Sequence, residues 1–253
     1  MLTHKEFNIF CWSWILLAVL LLPILFKVPQ PYGKHTKRNW GKGINNNLGW
    51  FLMELPAVLT FAYFVIFKTE KISTLVIIAS ALWGLHYIHR SLIFPFRIRT
   101  KGKKIPLIIV LFAILFNIVN GSLNGFWLAS YSSQAQTADL SGARVLTGIF
   151  VFLIGFGINR YHDRILIKLR KKSDSGYKIP YGGLFKYVSC PNFFGEVIIW
   201  FGFFVVTLSL PAFSFLIWTI INLLTRALDH HKWYLKEFSE YPKERKALIP
   251  FII

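Results

Sequence analysis

Residues 177–196 read YKIPYGGLFKYVSCPNFFGE, a polar loop that runs without a break into an apolar segment beginning at Phe193. Asn192 and Glu196 stand at the start of that segment. A carboxylate carried into a bilayer costs roughly 3 kcal/mol even on lenient insertion scales, so such groups persist where they bind something. The stretch therefore predicts two things together: a membrane helix, and a ligand site at its polar end.

Working outward, the whole chain has this character. Of 253 residues 55% are hydrophobic and 17% aromatic, and the mean hydropathy is +0.50, well above a soluble domain. A span needs about 20 mostly apolar residues. Segments of this kind are Phe10–Phe26, Leu48–Phe67, Ile72–Phe94, Ile105–Leu128, Val145–Ile158, Phe193–Thr207 and Leu210–Leu228. The fifth and sixth are short and need polar helix ends to complete a crossing, the fifth extending toward Asp163. No linker, repeat or low-complexity tract divides the series. The reading is one domain over residues 1–253: an all-α integral membrane protein, a bundle of seven transmembrane helices.

The net charge of +18 raises the question of nucleic acid, but its placement answers differently. Loops 29–46, 96–104, 160–187 and 226–253 carry 4, 5, 8 and 6 Lys and Arg, whereas the opposite side holds only Lys5, Lys68, Lys71 and Arg144. The positive-inside rule then places the N-terminus outside (lumenal) and the C-terminus in the cytosol, which requires an odd number of spans. No nucleic-acid partner is expected. The first segment lacks a small-residue cleavage site, and the basic run GKHTKR follows it rather than preceding it, so it reads as a retained helix. Cys11 and Cys190 fall on opposite faces and do not pair, and no zinc spacing occurs.

Polar residues inside the spans gather on the cytosolic half: Glu54, Tyr87, Arg90, the i, i+4 pair Asn159 and Asp163, and Arg226, His230 and Tyr234 at i, i+4 and i+8. One pocket open to the cytosol keeps all of them out of lipid. Arg90 taken alone reads as a snorkelling side chain. Asn117, Asn120 and Asn124 read as interhelical hydrogen-bond formers. Arg97, Arg99, Arg170, Lys178 and Arg226 suit phosphate groups; Asn159, Asp163, Asn192 and Glu196 suit amides and ribose hydroxyls. The sequence Gly155-Phe-Gly157-Ile-Asn-Arg160 lacks the third glycine of a dinucleotide turn and lies in a membrane helix, so its glycines read as packing positions.

The blocks GFGINRYHDRIL (155–166), YKIPYGGLFKYVSCPNFFGE, Arg226 with HHKWYL (230–235) and EYPKERKALIPF (240–251), with GWFLMELPA (49–57) and LHYIHR (85–90) upstream, resemble the steroid 5α-reductases. These are membrane enzymes that reduce a 3-oxo-Δ4-steroid with NADPH. The resemblance implies a seven-helix bundle with a cytosolic C-terminus. It implies that Glu54 and Tyr87 contact the substrate carbonyl and act in catalysis, with Trp50 an aromatic neighbour of substrate and nicotinamide. It further implies that Asn159, Asp163, Arg170, Tyr177, Asn192, Glu196, Arg226, His230 and Tyr234 hold NADPH, most of that site lying in residues 105–253. Met53, Ile98, Ile167 and Lys178 stand where family members carry glutamine, asparagine, arginine and arginine, which bears on the identity of the substrate.

The expected chemistry is hydride addition to the β carbon of an enone, the charge developing on oxygen being met by Tyr87 with Glu54 beside it. The partners expected are a lipophilic steroid and membrane lipids. The chain is read as a multi-pass monomer, of the endoplasmic reticulum if eukaryotic and of the inner membrane if bacterial. A sister reductase of a polyprenol, an enoyl-CoA or another sterol alkene is the near alternative. A di-iron oxygenase using His86, His89, His162, His230 and His231 and a non-enzymatic transporter are the distant ones; the former needs more histidines than the 7 present.

Overall fold

The computed structural model describes residues 3–28, 40–100, 102–132, 142–170 and 176–253. The basic run at 33–38, Lys101, and the basic residues at 171–172 counted above lie outside them. Among the described residues six helices are long and apolar enough to cross a membrane, and a seventh apolar helix is shorter. They are α1 (His4–Lys27), α2 (Asn46–Lys68), α3 (Thr74–Ile88, whose apolar span runs on to Arg97), α4 (Leu107–Ser130), α5 (Gly142–Leu169), α6 (Pro191–Thr207) and α7 (Leu210–Glu237). Each corresponds to one predicted segment. The fifth gains its length from polar ends, reaching 28 residues.

Local chemistry fixes where the helices begin. Thr3 caps α1 in a reciprocal box with Glu6, Asn45 accepts from the backbone N–H groups of Asn47 and Leu48, and Ser73 and Ser209 cap α3 and α7. Pro191 opens α6, where its missing N–H is no loss. At 17 residues and about 1.5 Å per residue, α6 falls short of the hydrocarbon thickness. Its last carbonyls are met by Arg144, which donates to Val205 O at 2.6 Å and Val206 O at 2.8 Å.

Two features position the site. Strands β1 (Gly43–Asn45) and β2 (Lys104–Pro106) pair antiparallel, Ile44 opposite Ile105, and so bring the first turns of α2 and α4 together. Beyond α3 the chain passes through a π turn, His89–Ile93, and a last helical turn, Phe94–Arg97. Such turns shift the phase of a helix and occur often at functional sites. An aromatic cluster around the fully buried Trp83 forms the core beneath: Phe61 stacks on it at 4.6 Å, and Trp200, Phe203 and Phe215 crowd its other sides.

Helices α5 and α6 pack through glycines. A Cβ on Gly155 would lie 2.6 Å from Ile199 N and 2.7 Å from Gly195 O, and one on Gly202 would run into Phe152 N. Gly148 and Gly155 on one helix meet Gly202 and Gly195 on the other, a small-residue seam that lets backbones touch. The packing reading thus holds for Gly155 but not for Gly157, whose added Cβ meets nothing within 4 Å. The asparagine reading is also corrected in part. Asn117 bonds across to Met53 O at 2.6 Å, but Asn120 and Asn124 donate to Phe116 O and Asn120 O of their own helix.

Gly155→Ala must push two backbones apart and is expected to destabilise by about 1–3 kcal/mol, the usual cost of overpacking. Gly157→Ala, in an open helical position, is expected to be neutral or to stabilise by ~0.5–1 kcal/mol. Thermal unfolding of both variants in detergent checks the pair; equal midpoints would refute the seam.

Candidate active site

Two cavities lie one above the other near the end of the bundle where α2, α4 and α6 begin. The deeper is lined by Met53, Glu54, His86, Tyr87, Asn117, Glu196, Trp200 and Phe215, with Trp218, Thr219 and Asn222 of α7. The outer is polar, lined by Arg99, Thr100, Lys103, Asp163, Arg170, Tyr177, Lys178, Asn192, His230 and Tyr234. Trp50, Arg90, Phe193 and Arg226 line both, so the two are contiguous.

The boundary is built around Arg90, which the π turn carries. Its Nη1 donates to Asp163 Oδ2 at 3.4 Å, its Nε lies 3.8 Å from Glu54 Oε1, and its guanidinium stacks 5.0 Å from Trp50 and 4.6 Å from Phe94. Only 16% of the side chain is exposed. Arg90 does not snorkel to headgroups; two carboxylates and two aromatic faces hold it inside.

A chain of hydrogen bonds continues from Asp163. Asn192 Nδ2 donates to Asp163 Oδ1 at 3.0 Å, and Asn159 Nδ2 donates to Asn192 O at 3.0 Å and Glu196 Oε2 at 2.9 Å. Glu196 Oε1 in turn meets His86 Nε2 at 3.1 Å and accepts from Trp200 Nε1 at 3.3 Å. Glu54, Arg90, Asp163 and Glu196 therefore each have a charged or hydrogen-bonding partner, as a low-dielectric interior demands. In the deep cavity the Tyr87 hydroxyl is 3.5 Å from Asn117 Oδ1, and the amide of Asn117 is anchored on Met53 O. Asn117 Oδ1 thereby accepts the one proton of the phenol.

At the mouth of the outer cavity Lys103 Nζ donates to Tyr177 Oη at 2.7 Å, and Arg99 Nη1 donates to Arg170 O at 3.5 Å. Tyr177 packs edge-on to Trp233, while Tyr234 stacks on Tyr241 at 5.0 Å. Arg226 lies over Phe193, which also touches His230. The C-terminal tail closes this wall: Ser189 N donates to Lys246 O, and Ser189 Oγ bonds Tyr241 Oη and His231 Nδ1. The histidines proposed for di-iron are spread over different tasks. His162 bonds Ile158 O and Leu184 N, His231 bonds Ser189, and His86 bonds Glu196.

Trp50, Glu54, Tyr87, Arg99, Asp163, Arg170, Tyr177, Lys178, Asn192, Arg226, His230 and Tyr234 all reach one or other cavity. Glu196 belongs to the deep cavity rather than the polar one, and Asn159 lines neither, serving as the link between Glu196 and Asn192. Arg97 lies apart from the others, lining a separate groove between α3 and α5. The π turn shifts the phase of the last turn of α3, and Arg97 faces away from Arg99. Sequence reading missed Lys103, Thr100, Ser189 and Asn117 as lining residues. None of them carried a usable signal by itself, Asn117 being one of three amides in an apolar helix. Ile98 and Ile167, departures from the family pattern, both lie on the polar cavity wall.

Residues 103–253 match the family described as 3-oxo-5-alpha-steroid 4-dehydrogenase. A steroid 5-alpha-reductase of Gossypium hirsutum is 39% identical over 256 residues, covering 97% of this chain and 98% of its own length. The 3-oxo-5-alpha-steroid 4-dehydrogenase 2 of Homo sapiens is 39% identical over 245 residues (95% and 94%), and type 1 of Bos taurus 39% over 241 (94% and 93%). With near full-length identity to plant and mammalian members alike, the chain belongs to the steroid 5α-reductase family of membrane oxidoreductases.

Proposed function

We propose that the chain reduces the Δ4 double bond of a 3-oxo-Δ4-steroid with NADPH, acting as a monomer. The observation that supports this best is the contiguity of the two cavities at Trp50, Arg90, Phe193 and Arg226: an apolar chamber for a lipophilic enone opens onto a chamber lined with cations. The donor set of the outer chamber fits a phosphorylated dinucleotide. Arg99, Lys103, Arg170, Lys178 and Arg226 offer charge-assisted bonds to phosphates, and Tyr177, Trp233 and Tyr234 offer aromatic faces. NADPH, when bound, supplies the hydride that reaches the β carbon of the enone.

The chain's own residues do the rest. Negative charge develops on the substrate carbonyl oxygen as the β carbon is attacked. The Tyr87 hydroxyl turns its one proton from Asn117 Oδ1 to that oxygen and stabilises it by donating to it, with Glu54 beside it. One such preorganised donor is worth roughly 3–4 kcal/mol. Arg90 holds Glu54 in place and separates it from Asp163. The aromatic floor of Trp83, Trp200 and Phe215 excludes water from the deep chamber. The α carbon takes its proton from water. In this reading the seven helices all span, the polar chamber opens to the cytosol beside the basic loops, and the steroid arrives from the lipid.

Tyr87→Phe and Glu54→Gln are each expected to cut turnover of a 3-oxo-Δ4-steroid by at least ~10²-fold, the scale of a lost oxyanion donor, with NADPH binding retained. Steady-state rates and nucleotide binding check this; near-normal turnover of Tyr87→Phe would remove the phenol from the chemistry.

Arg226→Ala and Arg170→Ala are expected to raise KM for NADPH several-fold with the fold intact. Initial-rate kinetics against both nucleotides check this, and equal use of NADH and NADPH by the parent protein would contradict the placement of the 2′-phosphate among these cations.

A further inference from the structure

A third cavity lies outside the site, between the outer faces of α3 and α5, with a volume of about 720 Å³. Gly84, Leu85, Ile88, His89 and Ile93 form one wall, and Phe156, Gly157, Arg160, Tyr161 and Arg164 the other, with Arg97 at the end of the first. Gly157, Arg160 and Arg164 recur at i, i+3 and i+7, one stripe of a helix, so the apolar floor runs straight into three arginines.

Among the described residues nothing fills it. A Cβ on Gly157 would meet nothing within 4 Å, and one on Gly84 only Ile88 Cδ1 of its own helix at 3.8 Å. These two glycines are therefore not packing residues; their missing side chains are what makes the groove. Its polar end holds polar atoms that no described residue answers. Arg160 Nη1 and His89 Nε2 are buried without a hydrogen-bond partner among the described residues, while Arg97 and Arg164 are exposed. Neighbouring apolar side chains on both helices, Leu85, Ile88 and Tyr161, are themselves exposed, so the groove opens to lipid.

We propose that this groove is a specific site for an anionic phospholipid of the surrounding leaflet. One acyl chain lies along Gly84, Ile88, Phe156 and Gly157, and the phosphate and its headgroup are held by Arg97, Arg160 and Arg164. An apolar floor that ends in charges of a single sign matches an amphiphile whose charged end is an anion. A steroid would leave the three arginines unanswered, and a free anion would leave the apolar floor exposed. The site is distinct from both inner cavities and independent of the reaction proposed above. Its occupant would brace α3 against α5 on the outside, opposite the Arg90–Asp163 contact that joins them inside.

Native mass spectrometry tests this, on protein extracted in mild detergent and titrated with phosphatidylglycerol or phosphatidylcholine. The parent is expected to retain one phosphatidylglycerol at least ~10-fold more tightly than phosphatidylcholine, since each basic side chain at a membrane surface favours an anionic lipid by about fivefold. The Arg97→Gln/Arg164→Gln double variant removes the preference, and Gly157→Leu, which fills open space, weakens both lipids; NADPH binding is unchanged in each. Equal binding of the two lipids by the parent, unaltered selectivity in the double variant, or full displacement by millimolar inorganic phosphate would each overturn the assignment. Gly157→Leu that unfolds is replaced by Gly84→Leu on the facing helix, with the same expected loss.

Discussion

A single guanidinium shared between one buried and one half-buried carboxylate holds the site together. Arg90 sits between Glu54 on α2 and Asp163 on α5, with Trp50 and Phe94 against its faces. Removing one partner of a buried ion pair typically costs ~3–5 kcal/mol, because the remaining charge is stranded. Three helices are tied at this point, and the same side chain forms the wall between the apolar and the polar cavity. Arginine suits the position because its planar fork serves two acceptors and stacks on rings, which a lysine does not.

The remaining polar groups extend from that contact and depend on backbone spacing. Asn192, Asn159, Glu196 and His86 form one continuous line from Asp163. Two of these residues are on α6 and one, with Asp163, on α5, so their bonds close only while those helices stay at glycine distance. Gly195 directly precedes Glu196 and rests against the backbone of Asn159. Packing and chemistry are thus the same seam: a methyl group added there lengthens bonds in the site.

Much of the fold was legible because lipid imposes simple length and hydropathy rules. Each predicted apolar segment became a helix, and the polar extension of the fifth reached Leu169. The gathering of Glu54, Tyr87, Asp163, Asn192, Arg226 and Tyr234 was legible for a related reason, since polar groups in spans have few places to go. What stayed hidden arises from phase and from tertiary contact. The π turn at His89–Ile93 leaves no mark in composition, yet it turns Arg97 out of the site and Arg90 inward. Asn117 could be distinguished from Asn120 and Asn124 only by knowing which helix α4 faces. Lys103 registered as one basic residue among several, and its bond to Tyr177 spans 74 positions.

The most direct measurement follows the hydrogen itself. The protein would be incubated with NADPH carrying two deuterium atoms at the nicotinamide C4 and with a 3-oxo-Δ4-steroid in ordinary water, and the product examined by mass spectrometry and NMR. The expected result is one deuterium per product molecule, at the former β carbon, with hydrogen from water at the α carbon. Saturated product free of deuterium, or deuterium at the α carbon, would contradict the placement of cofactor and enone in adjoining cavities.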